Sequence, residues 1–274
     1  MRVLIGCEES GIVRRAFAAR GHDAWSCDLQ PSADGSNKHL IGDVRDYLHD
    51  GWDLLAVFHP PCTRLCNSGV RWLSEPPTKL SLDYGYEVRM AYLSWTRDER
   101  LAFMWKKLAE GADLFSKCWN APIERIALEN RVMHCHAKRL IENYEPPAQF
   151  VQPWWFGDRA FKATGFYLKG LSPLVETNRL TPPKPGTDEH KAWSVIHRAS
   201  PGRDRAKMRS RTFPGIADAA AVQGSARAST APQRSDDRDH AGLRSWSRHS
   251  FRQLRRRPLA RLHHASRRAE RSAC

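Results

Sequence analysis

RVLIGCEESGIVRRAFAARGHDAWSCDL, residues 2–29, decides the fold. RVLIG (2–6) is a short apolar run of the kind that forms a buried strand. A turn of small and polar residues follows. IVRRAFAARG (12–21) then reads as a helix stopped by Gly21, and DAWSCDL (23–29) as a second strand carrying an acid, Asp28, at its end. Strand, helix and strand in fewer than thirty residues make a βαβ unit, and a βαβ unit implies parallel pairing.

The same alternation continues outward. DLLAVFH (53–59) is a strong strand that begins after Gly51. TRDERLAFMWKKLAEGADLF (96–115) is the best helix in the chain, with Thr96 and Glu99 spaced as a capping box. Its Leu101, Met104, Trp105, Leu108 and Ala112 recur at helical spacing and are expected in the core. IERIALEN (123–130) and FKATGFYLKG (161–170) read as two later strands. The expected fold class is α/β: a doubly wound, mostly parallel sheet with helices on both faces. Residues 172–212, rich in Pro, Lys, Arg and Thr, are expected to be irregular.

The 274 residues suit one domain with an appendage. No run of about 18 apolar residues is present, so no transmembrane helix is expected. MRVLIGCEES is too short and too quickly acidic for a secretory signal, and a cytoplasmic protein is expected. The 7 cysteines are scattered and odd in number, which fits free thiols rather than a disulfide framework. Zinc fits poorly, because there is no C-x-x-C and the adjacent residues of MHCH (133–136) rarely all face one ion.

The net charge of +14 points to a polyanionic partner, but it is unevenly spread. Residues 224–274 carry 13 Arg, no Lys and 4 acids, a net of +9. A domain over residues 1–223 is therefore expected to end where an Arg-rich, aperiodic tail begins. Two readings of the tail stand: a disordered nucleic-acid-binding arm, or out-of-frame translation of a GC-rich gene. The abrupt change inside the helix-like FPGIADAAAVQ (213–223) favours the second.

Ligands of such sheets bind at the carboxyl ends of the strands. Four features fall there. In GCEESG (6–11), Gly6, Ser10 and Gly11, with Cys7 and Glu8 between them, allow a tight turn with backbone close to a ligand. The pattern is not G-x-G-x-x-G, so a cofactor without phosphate suits it better than a dinucleotide. Asp28 is placed for ribose hydroxyls, and Asp43, in IGDV, for an amino group. The fourth feature is HPPCTRLCNSG (59–69). Pro60 and Pro61 cannot continue a ladder, so Cys62 is delivered to the mouth of the sheet. A thiol there is either a small apolar side chain or a nucleophile. Glu129 ends the IALEN strand, where burial raises a carboxyl's pKa and fits it to donate a proton or hydrogen bond.

In order along residues 1–223, these motifs resemble the cytosine-C5 DNA methyltransferases, and more narrowly their small phage and prophage members. VLIGCEESG stands where that family has its S-adenosylmethionine loop. PPCTRLCNSG resembles its Pro-Cys loop, including Gly69 seven residues after the Cys. ENRV resembles its Glu-Asn-Val motif, QPWWFGDRAFKATGFYL its Gln–Arg–Arg strand, and RSRTFPGIA the region before its last motif.

The resemblance implies a Rossmann-like methyltransferase fold and S-adenosylmethionine as cofactor, held by Gly6, Cys7, Glu8, Ser10, Gly11, Asp28 and Asp43. It implies Cys62 as nucleophile toward C6 of a flipped cytosine in DNA, set by Pro61. Glu129 would contact the same ring and Asn130 would support the loop. Arg64, Ser68, Gly69, Arg159 and Lys162 would be substrate contacts. The chain departs from the family in two ways. No sizeable recognition domain precedes the last motifs, so residues 63–100 and 172–212 are the candidate recognition segments. The final Gly-Asn motif is missing. Methylation of free deoxycytidine nucleotide, and a non-catalytic nucleic-acid-binding protein, are the alternatives.

Overall fold

The computed structural model describes residues 1–58, 60, 62–198 and 212–224. All of them lie in Met1–Ala228, the first of two units into which the chain divides. The tail after Gly224 lies outside the described residues.

The elements run β1 (Arg2–Gly6), α1 (Ile12–Ala18), β2 (Asp23–Asp28), β3 (His39–Ile41), β4 (Leu54–Val57), α2 (Tyr86–Ser94), α3 (Arg97–Trp119), β5 (Arg125–Asn130), α4 (Cys135–Leu140), β6 (Gln149–Val151), β7 (Thr164–Lys169), α5 (Asp188–Trp193), α6 (Val195–Arg198) and α7 (Pro214–Gln223). They build a mixed α/β unit around one seven-stranded sheet, in the order β3-β2-β1-β4-β5-β7-β6. The first five strands are parallel, and β7 runs antiparallel to both β5 and β6.

Side-chain alternation along the strands feeds two cores. Val3, Ile5, Leu54, Ala56 and Ala127 point to one face, where α1 and α7 supply Val13, Phe17, Ile216 and Ala220. Leu4, Leu55, Val57, Ile126 and Leu128 point to the other, where α3 supplies Met104, Leu108, Ala112 and Phe115. Both faces of the central strands are thus covered, which is why they read as continuous apolar runs. The α3 capping box forms as its sequence predicts, with Thr96 and Glu99 bonding each other's backbone N–H.

Several local expectations need correction. Trp105 is 39% exposed rather than core, and its ring meets His136 edge-on at 5.2 Å. Residues 172–212 are not wholly irregular: Thr187 caps α5 by accepting from His190 N at 3.1 Å, and α6 follows. The insertion after Cys62 contains a 3-10 turn (Val70–Leu73) and α2. Strand β6, absent from the sequence reading, forms the sheet edge beyond β7. Among the described residues no helix is long and apolar enough to cross a membrane.

Candidate active site at the carboxyl ends of β1, β4 and β5

The chain lays β2 and β3 on one side of β1, and β4 and β5 on the other. Their junction, between β1 and β4, is the switch point where such sheets open a crevice. The turn after β1 and the Cys62 loop after β4 flank it.

Cys7, directly after β1, holds a left-handed φ of 56°, unusual for a residue with a side chain. The next residue, Glu8, is buried, and its carboxylate caps α1. It accepts from Val13 N at 2.7 Å and Arg14 N at 3.1 Å, while Ser10 Oγ accepts from Ile12 N at 3.4 Å. Burial raises the Glu8 pKa against these bonds. The chain's own side chains therefore occupy the N-terminal N–H groups expected for a ligand. The glycines also serve packing more than ligand approach. A Cβ on Gly6 would meet Val44 at 2.8 Å and Val57 at 3.0 Å. Gly11 has φ +67° and lies against Asp34, which pairs with Arg14 and Arg15.

Asp28 ends β2, next to Gly6–Cys27 pairing, and Asp43 follows β3, so both acids reach the same sheet end as the β1 turn. Asp28 is half-buried, its pKa raised by burial, and it accepts from Gln30 N at 2.9 Å. Asp43 is engaged by Arg45 through backbone N at 2.9 Å, Nε at 3.0 Å and Nη2 at 2.6 Å. A carboxylate has about four acceptor sites, so one remains for a ligand.

The second half of the site hangs on β4 and β5, which pair in parallel with Val57 opposite Leu128. One residue past that pair stands Glu129. A few residues past Val57 the chain turns at Cys62, where Cys66 N bonds Cys62 O at 3.1 Å to close one helical turn. The loop is then zipped to the chain leaving β5. Asn67 N bonds Val132 O at 3.2 Å, His134 N bonds Leu65 O at 3.0 Å, and Cys66 bridges Met133. His134 closes the zip. Its Nδ1 accepts from Ala137 N at 3.1 Å, which caps α4, so Nε2 carries the proton it donates to Arg64 O at 2.7 Å. MHCH is thus a clamp. Among the described residues no group of three or more His, Cys, Asp or Glu could hold a metal.

Glu129 is buried beside Lys162, with Nζ 3.7 Å from Oε1. Burial pushes its pKa up, and Lys162 and Arg131 pull against that. The Cys62 pKa is brought down to about 7, first by a hydrogen bond from the Cys66 thiol and further by Lys162 and Arg131, against burial and the Glu129 charge. Cys66 is pushed the other way by the same bond and by burial. Phe58, Glu129, Lys162, Thr164, Thr212, Phe213 and Ile216 line a small cleft beside Glu129.

The structure therefore brings together Cys62, Glu129, Asn130 and Lys162. It does not bring Arg159 to them as a buried partner, for Arg159 is exposed. Ser68 is exposed as well, and Arg64 donates to Tyr84 Oη at 3.2 Å. Gly69 lets the loop fold back onto Thr63 O, a packing role. Pro61 lies outside the described residues. Cys66, Arg131 and His134 are the residues the sequence reading missed. Among the described residues Cys7, Cys27, Cys62, Cys66 and Cys118 are free thiols.

No protein-family model and no curated protein matches the chain. Among solved structures, one similar chain is described as a candidate DNA modification methyltransferase encoded within a prophage of E. coli. It is 14% identical with a TM-score of 0.34, over 61% of this chain and 46% of that one. The match spans less than half of that protein, and a likeness this distant assigns no function.

Proposed function

We propose that this chain is an S-adenosylmethionine-dependent DNA (cytosine-5) methyltransferase with the corresponding Rossmann-like fold. The observation that carries the reading is the pairing of a buried carboxyl, Glu129, with an acidified thiol, Cys62, at the ends of adjacent parallel strands. A nucleophile and a carboxyl of raised pKa that address one ring are what addition to an electron-poor pyrimidine needs. The β1 turn fits a cofactor without phosphate, because Glu8 and Ser10 already fill the α1 N–H groups. Asp28 would hold the ribose and the remaining acceptor site of Asp43 the adenine amino group. When bound, S-adenosylmethionine supplies an electrophilic methyl group.

The chain's own residues do the rest. Cys62 thiolate adds to C6 of the flipped cytosine, an extrusion that costs a few kcal/mol in duplex DNA. Glu129, held by Lys162, hydrogen-bonds N3 and the exocyclic amine and stabilises the charge that develops there. After C5 has been methylated, water takes its proton, Cys62 leaves as the thiolate and the ring regains its double bond. Arg64, Ser68 and Arg159 would contact DNA, as would the exposed face of residues 63–100, where Arg71 stacks on Trp72 at 4.1 Å and Tyr86 is 68% exposed.

The test is a covalent trap. DNA containing 5-fluorocytosine, with S-adenosylmethionine, is expected to give a denaturant-stable adduct on the Cys62 peptide. The reading is wrong if wild type gives no adduct on any DNA or if Cys62→Ser still gives one. Parallel assays with labelled methyl donor and free deoxycytidine nucleotide separate the DNA substrate from the nucleotide alternative.

A further inference from the structure

Cys66 has no role in the mechanism above, yet it is buried at the centre of the site. It lies one turn after Cys62 on the loop zipped to β5, and its Sγ donates to Asn130 Oδ1 at 3.2 Å. Asn130 is buried, and its Nδ2 has no hydrogen-bond partner among the described residues. An amide in that setting keeps its orientation by what its oxygen accepts, and here the donor is a thiol. Cys62 stands one helical turn earlier, at the i, i+4 spacing that sets two side chains on one face, so the same thiol can turn toward it. One S–H can serve only one of these two acceptors well at a time.

We propose that Cys66 is a positioning residue for the nucleophile, a single S–H that alternates between Asn130 Oδ1 and Cys62 Sγ. While Cys62 carries its own proton, the Cys66 S–H rests on Asn130. Once Cys62 has lost its proton to solvent, the Cys66 S–H turns to the thiolate and Asn130 is released. A buried thiolate without donors is costly, and charge-assisted hydrogen bonds are the strong ones. The same donor helps twice, because Cys62 must also leave as a thiolate when the adduct breaks down. A better-stabilised thiolate is a weaker nucleophile but a better leaving group, so the device favours release. The inference rests on Cys62 being the nucleophile.

It is tested without turnover. The alkylation rate of the Cys62 peptide by iodoacetamide is followed from pH 5 to 10 by mass spectrometry, in the full chain. Cys66→Ala is expected to raise the midpoint by at least about one pH unit, so that the thiolate fraction at pH 7 falls roughly fivefold. Cys66→Ser, which keeps a donor, is expected to restore most of that loss. Equal midpoints for wild type and Cys66→Ala, or equal shifts for Ala and Ser, would overturn the proposal.

A measurement on unmodified protein covers the case in which the variants do not fold. In the infrared difference spectrum across the Cys62 titration, one S–H band should vanish and a second move to lower frequency as S–H···S⁻ forms. Loss of one band with no movement of another also refutes it. Failure of the fluorocytosine trap with the alkylation result intact would sink the methyltransferase reading and leave the thiol pair standing. The reverse outcome would sink only the pair.

Discussion

Cys62 and Glu129 constrain each other through charge. The ionised Glu129 carboxylate opposes formation of the Cys62 thiolate, while Lys162 and Arg131 promote it. Glu129→Gln is therefore expected to lower the alkylation midpoint of Cys62 below its value of about 7 while reducing methyl transfer at least about 10⁴-fold. A midpoint that rises instead would show that Glu129 acts on Cys62 by position and not by charge. The raised Glu129 pKa also has a sign for stability. Its contribution is full below the ordinary carboxylate pKa and is lost as pH rises through the higher value in the fold. Cys62, Glu129 and Asn130 were legible in the sequence because each ends an apolar strand or follows a proline turn. Cys66 and Arg131 were not. Their place depends on a zip between two segments some sixty residues apart, and no local pattern encodes that pairing.

At the scale of elements, the clamp between the Cys62 loop and α4 depends on one imidazole. His134→Ala removes both the α4 cap and the bond to Arg64 O. A loss of about 1–2 kcal/mol in urea unfolding is expected, together with about a tenfold fall in activity as the loop loosens. Unchanged activity in a folded variant would mean that the backbone zip suffices. Burial lowers the His134 pKa, so its linkage runs opposite to that of Glu129. Stability is full above about 6.5 and is lost as pH falls from there toward the folded value. That acid-side slope should shrink in His134→Ala.

The strands and α3 were readable because apolar runs and a capping box act locally. Helix α2 was not, since its first residue follows Gly85 with no side-chain cap and only Tyr92 is buried. Strand β6 is three residues long, too short for any period to show. The α5 signal, Thr187 before Asp188 and Glu189, was present but masked by the surrounding Pro and Lys.

For the molecule as a whole, charge and chemistry are carried by different parts of the chain. Removing residues 225–274 takes away +9 of the +14. The truncated chain is expected to bind DNA with a much shallower salt dependence and to keep the Cys62 alkylation midpoint. Binding that disappears entirely, with no Cys62-dependent adduct before or after truncation, would favour the non-catalytic alternative. The sheet itself has a further consequence. Its two borders, β3 and β6, are only three residues each, while the long strands lie between them. A border that short offers few open backbone groups for a foreign strand to zip onto. The molecule is thereby guarded against edge-to-edge aggregation by strand length alone, and that guard operates at any salt concentration and whether or not the basic tail is attached.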